Sequence, residues 1–172
     1  AFGLSGALAF AYLPFIKLSG MPLIAYRLPP KKIIKGLQKR LGIKMRFDTY
    51  RNPNDGMLAL DRHLDEGRIV GLQTSVFWLP YFPDQMRFHF NAHNLIAFKR
   101  ENNSYLVSDP VFETTQSCEI AALQKSRFAK GALAAKGLAY YPTHIPSEID
   151  YPNAVKDAIK SNHRIMNGAP LP

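Results

Sequence analysis

Within the stretch HNLIAFKRENNSYLVSDP, residues 93–110, two side chains have the types that base catalysis requires. His93 enters one apolar-rich segment and Asp109 leaves the next, with the turn RENNS between them. A carboxylate bonded to one ring nitrogen fixes the tautomer and orientation of an imidazole, whose other nitrogen can then deprotonate a thiol or hydroxyl. In an antiparallel hairpin, facing Cβ atoms lie about 4.5–5.5 Å apart and diagonal ones about 7–8 Å, close enough for such a bond. Register decides whether it forms. A three-residue loop of Glu101, Asn102 and Asn103 sets Arg100 against Ser104 and Leu95 against Asp109, making His93 the same-face diagonal neighbour of Asp109. A two-residue loop at Asn102 and Asn103 puts the pair on opposite faces. By spacing alone, a satisfied histidine beside a turn-forming Asp-Pro is the commoner outcome.

Other candidates carry less. Cys118 is the sole cysteine. It falls at a strand-to-helix junction, where a helix N-terminus would lower a thiol pKa, but free cysteine is usually a small buried hydrophobe. His89, His93 and Asp109 could suggest a metal triad, yet on one strand the two histidines would stand about 13 Å apart at roughly 3.3 Å per residue. Only a bulge or turn at Asn91 would rescue that idea, so no metal site is expected and His89 is at best a rim residue. Trp78, Tyr81 and Phe82 in VFWLPYFPDQ read as core or rim packing, or in a cleft enzyme as lining for an acyl or acceptor pocket. Gln73 sits in an otherwise buried strand and must find partners.

The elements that position these residues are punctuated clearly. SGALAFAY suits a tightly packed helix end or turn where backbones approach closely. KIIKGLQKRLG spaces Ile33, Ile34, Leu37 and Leu41 on one helical face with Gly42 as cap, and IKMRFDTY alternates as a half-buried strand. NPNDGMLALDRHLDEG has Asn52 as N-cap, Pro53 at the first helical position and Gly67 as stop. RIVGLQTSVFWLPYF reads as a strand buried on both faces. The His93–Asp109 hairpin follows, then a strand in VFETTQSC, a short helix in CEIAALQKSRF and an edge strand in LAYYPTH ended by Pro142. NAVKDAIKSNHRIMNG places Val155, Ile159, Ile165 and Met166 at helical spacing.

A chain of 172 residues with 47% hydrophobic content builds a real core. Its net charge of +9 favours acidic partners without naming one. The densest basic run, Lys31, Lys32, Lys35, Lys39, Arg40, Lys44 and Arg46, reads as a solvated helix face and its flank. It lacks the exposed interleaved aromatics of a nucleic-acid platform, but an acidic acyl carrier protein would be drawn to it. One cysteine allows no intramolecular disulfide, so a reducing cytoplasm is the expected compartment. The opening AFGLSGALAFAYLPF has no basic lead-in and is interrupted by Pro14 and Lys17, so neither a signal peptide nor a membrane span is expected.

Three segments, FGLSGALAFAYLP, GRIVGLQTSVFWLPY and FNAHNLIAFKRENNSYLVSDP, together resemble the N-terminal domain of the butirosin biosynthesis protein H family, within the papain-like, cysteine-peptidase-like superfamily. In that group a strand begins with the catalytic histidine and the next ends in VxDP with its orienting aspartate, positions that fall on His93 and Asp109. Ala92 replaces the usual glycine before the histidine, and FKREN lacks the acidic turn of many relatives. The resemblance implies an α+β, papain-like fold with a central antiparallel sheet and flanking helices. Residues 1–142 would form that domain, truncated at its N-terminus, and 143–172 a linker and the first helix of a following helical domain. The family's nucleophilic cysteine would lie upstream of this stretch. The implied activity is thiol-dependent transfer of an aminoacyl group from a carrier-protein thioester to a small amine, in specialised metabolite biosynthesis, without a cofactor and without nucleic-acid or membrane partners. Water as acceptor would make the same machinery a hydrolase, and a non-catalytic member would keep the scaffold to bind a ligand.

Overall fold

The computed structural model describes residues 2–18 and 20–168; the last four residues of MNGAPLP lie outside the described residues. Two compact units emerge, one of residues 46–141 and one of residues 1–45 with 142–172. The chain passes between them inside strands β3 (Lys44–Asp48) and β8 (Ala139–His144).

The 46–141 unit is built on a sheet of order β3-β8-β4-β5-β6-β7, with β4 Val70–Thr74, β5 His93–Glu101, β6 Ser104–Ser108 and β7 Gln116–Glu119. Neighbours from β8 through β7 pair antiparallel. Helices α3 (Pro53–Asp65) and α4 (Ile120–Arg127) flank it. The expected α+β architecture, an antiparallel sheet with flanking helices, is therefore present. Capping signals set α3 as read: Asn52 accepts from the Asn54 backbone N–H at 2.8 Å, and Gly67 follows with φ 73°. Leu60, Leu72, Leu95, Tyr105, Val107 and Leu123 fill the core. The hydroxyl of Tyr105 and the guanidinium of Arg100 both donate to Asp61 at 2.6 and 2.7 Å, which ties the hairpin to α3.

Two readings of this unit are corrected. The LAYYPTH strand is not an edge: β8 lies between β3 and β4. Proline is tolerated there because the β4 ladder covers only Ala139 and Tyr140, so Pro142 lies past it. The apolar run after Gly67 supplies a shorter strand than its length suggested, because a 3₁₀ turn at Val76–Trp78 takes over after Thr74. At Gly71 an added Cβ would meet the Tyr140 ring at 2.1 Å, so only glycine lets that ring lie on the sheet.

In the other unit, α1 (Phe2–Ser5) ends at Gly6 with φ 62° and runs into a two-stranded hairpin, β1 (Leu8–Leu18) and β2 (Met21–Arg27). The hairpin was not read from sequence. The anticipated close backbone approach is real: a Cβ on Gly36 of α2 (Pro30–Leu41) would fall 2.0 Å from the Ser5 carbonyl oxygen. Arg40 leaves the solvated basic face; its buried guanidinium donates to the Ser5 carbonyl and pairs with Asp157 at 3.1 Å. In α5 (Tyr151–Gly168) the packed side chains are Ala154 and Ala158, while Val155, Ile159 and Met166 are exposed. Small residues allow the close packing here, and Val155 lies about 100° around the helix from Ala154. Among the described residues, no helix is long and apolar enough to cross a membrane.

Candidate active site

Register brings the pair together by a route the sequence did not announce. The turn is the two-residue one, with Glu101 opposite Ser104 and Asn102 in the left-handed region at φ 51°. On its own that turn would separate His93 from Asp109. A bulge between Ala97 and Lys99, where Phe98 is the extra residue, shifts the ladder by one, so that Ala97 faces Val107 and Ile96 faces Ser108. Beyond the bulge the pairing is the one that a three-residue loop would have set. Leu95, Ala97, Tyr105 and Val107 point into the core, and His93 and Asp109 continue that face at the open end.

His93 Nε2 lies 2.6 Å from Asp109 Oδ2. Asp109 accepts two further hydrogen bonds, from the Val111 backbone N–H to Oδ1 at 3.0 Å and from the Tyr81 hydroxyl to Oδ2 at 2.8 Å. A carboxylate acceptor requires the proton on His93 Nε2, which leaves Nδ1 with a free lone pair; among the described residues Nδ1 makes no hydrogen bond. The Asp109 side chain is 0% exposed and that of His93 11%, so the carboxylate is sealed while an edge of the ring reaches solvent. Phe82 stands edge-on to the imidazole at 5.6 Å and to Phe112 at 4.9 Å, walling the pair with aromatic surface. The arrangement is that of an oriented base.

Burial pushes the Asp109 carboxyl upward, but the hydrogen bonds from His93, Val111 and Tyr81, with the charge of His93, outweigh it and hold the group below its usual 3.8. A carboxyl whose pKa is lower folded than unfolded stabilises the fold fully above the unfolded value, and that contribution is lost as pH falls through the folded value. Urea titrations should therefore show the stability gap between wild type and Asp109→Asn to be wide at pH 6 and to narrow steadily below pH 4. An unchanged gap would mean that the carboxylate charge does not support the fold.

The remaining candidates fall elsewhere. Cys118 is fully buried among core residues, and burial pushes its thiol up to about 12, opposite to the lowering that a helix N-terminus would give. His89 stacks on Phe77 at 4.0 Å. Among the described residues no cluster of three histidine, cysteine or acidic side chains could hold a metal. Trp78 lines a cavity of about 540 Å³ with Phe77, Asp84, Glu119 and Lys125, whereas Tyr81 and Phe82 pack around the His93–Asp109 pair. Gln73 finds its partners in backbone: its amide donates to the carbonyls of Asn91 and Leu133 at 2.8 and 2.9 Å. Buried Asn91 donates to Lys130 and Ala132. These bonds lash the 130–133 loop to the lead-in of β5. Tyr81 is the contact that sequence reasoning missed; its only signal was a place in an aromatic cluster.

The class that fold and site define is an α+β domain with an imidazole–carboxylate pair at the open end of a hairpin. More particularly, the chain belongs to the family described as butirosin biosynthesis protein H, N-terminal, which matches residues 1–110 and so includes His93 and Asp109. Residues 121–172 match a second family, described as a domain of unknown function (DUF4872). A solved structure described as that of a C39-like peptidase from Bacillus anthracis is similar at 12% identity with a TM-score of 0.46. The match covers 71% of this chain and 62% of the other. No curated protein matches.

Proposed function

We propose that this domain supplies the base of a thiol-dependent acyl transfer. The observation that carries the reading is the 2.6 Å contact of His93 Nε2 with sealed Asp109, which leaves Nδ1 unbonded on a ring that is itself 11% exposed. In the reaction, Nδ1 takes the thiol proton as the sulfur attacks an acyl thioester. It then gives that proton to the departing carrier thiolate; in the second step an amine attacks the acyl-enzyme, His93 takes the amine proton, and as the enzyme C–S bond breaks it passes that proton to the released enzyme thiolate. Asp109 stays ionised throughout and stabilises the imidazolium. Cys118, buried and with a raised thiol pKa, is unfit for the attack, so the reading calls for a thiol from outside these 172 residues. Family membership supports an aminoacyl donor carried as a carrier-protein thioester and a small amine acceptor; water in its place gives hydrolysis.

The test uses the full-length protein with a carrier-bound acyl thioester. Intact mass should show one acyl adduct, mapping to a cysteine other than Cys118, discharged on addition of an amine. No adduct, or an adduct on Cys118, would overturn the reading.

Lys35 and Lys39 remain exposed on α2 and are the candidate contact for the acidic carrier. Reversing both to glutamate should raise KM for the carrier-bound donor by about tenfold at low salt and leave KM for a small thioester unchanged. Equal effects on both donors would remove this helix from docking.

A further inference from the structure

Asp109 is held from three directions, and one of them is not accounted for by a histidine–aspartate pair. The Val111 N–H belongs to the Asp109 turn and occupies Oδ1. The other two donors, His93 Nε2 at 2.6 Å and the Tyr81 hydroxyl at 2.8 Å, converge on the same oxygen, Oδ2. Tyr81 comes from the connection between β4 and β5, and its hydrogen bond reaches 28 residues along the chain. A buried tyrosine hydroxyl needs some partner. Here the partner is the atom that orients the imidazole, on a side chain 0% exposed, where water cannot substitute.

We propose that Tyr81 is a positioning residue of this site: by fixing Oδ2 of Asp109 it holds the His93 ring with Nε2 inward and Nδ1 toward the reacting thiol. This rests on the acyl-transfer reading for the identity of that thiol, but the positioning itself is a property of the three side chains.

Without the phenol, Oδ2 would be held only by the imidazole it must orient. With it, the oxygen is pinned from a second side, and the aromatic ring that carries the hydroxyl is wedged edge-on against Phe112 at 5.5 Å and tilted against Phe82 at 5.2 Å. The titratable groups that face this cluster are His93 from β5, Tyr81 itself and Cys118 from β7. Burial holds both the phenol and the thiol well above their ordinary values, so both stay neutral across the working range.

The experiment is imidazole NMR of this chain, in which no turnover is needed. In wild type the neutral His93 ring should be almost wholly the Nε2–H tautomer. Tyr81→Phe should reduce the Nε2–H fraction, as Oδ2 loses its second anchor. Incorporating 3-fluorotyrosine at 81, which keeps the ring and strengthens the donor, should keep the Nε2–H tautomer dominant, and a fall in its fraction there would overturn the proposal even if the phenylalanine variant folds poorly. A purely structural tyrosine would cost stability in Tyr81→Phe with the tautomer unmoved, and that result overturns the proposal. In the full-length protein Tyr81→Phe should lower kcat about tenfold or more with KM unchanged. If the full-length protein transfers no acyl group, the acyl-transfer reading fails while the NMR result stands.

Discussion

Replacing His93 with alanine in the full-length protein should reduce the proposed acyl transfer by about 10²- to 10⁴-fold, the usual range for loss of an oriented general base. The thermal midpoint should move little. The ring is partly exposed, and Asp109 would keep the hydrogen bonds from Tyr81 and the Val111 N–H, so no buried charge is left bare. The measurement pairs steady-state transfer with a melting curve. Activity near wild type would remove His93 from the mechanism. A collapse of the melt together with activity would instead make it a structural residue. Asp109→Ala should differ, since it leaves both Nε2 and the Tyr81 hydroxyl without their acceptor and so affects fold and rate together.

The second large effect is on stability and lies away from the site. Arg127 is 0% exposed, and burial pushes its guanidinium down to about 10. It donates to the carbonyls of Gly56 and Gly137 at 2.8 and 3.2 Å and to the Met57 sulfur at 3.3 Å, joining α3, α4 and the approach to β8. Arg127→Ala strips both carbonyls of their donor and leaves a cavity, and should cost about 3–5 kcal/mol, a large share of the stability of an ordinary domain. Arg127→Met fills the volume without the hydrogen bonds and should cost less. Urea unfolding of the two variants separates the packing loss from the hydrogen-bond loss. Equal costs would show that only the hydrogen bonds matter there.

Sequence made legible what local chemistry dictates. Asn52, Pro53 and Gly67 bound α3 because capping and helix stopping need only adjacent residues. His93 and Asp109 stood out by residue type at the ends of two adjacent strands and by the family resemblance, while the register that joins them was left open. What stayed hidden was non-local. Nothing in IAFKR distinguishes Phe98 as the extra residue of a bulge, since a bulge is chosen by the fit of two strands rather than by one of them. The place of β8 inside the sheet depends on a partner nearly 70 residues away, Gly71 against Tyr140. The Tyr81–Asp109 bond is similarly invisible to periodicity. On α5 the largest apolar residues suggested the packed face, but the alanines took it, because close helix packing selects for small side chains.

The bulge at Phe98 also gives the hairpin slack. Pairing on its two sides differs by one residue, so a one-residue insertion in the turn at Asn102–Asn103 can be matched by loss of the bulge while Leu95 stays opposite Asp109. Residues 101–103 form an exposed tip that can be lengthened, or fitted with a spectroscopic reporter, at a distance from the chemistry at the open end.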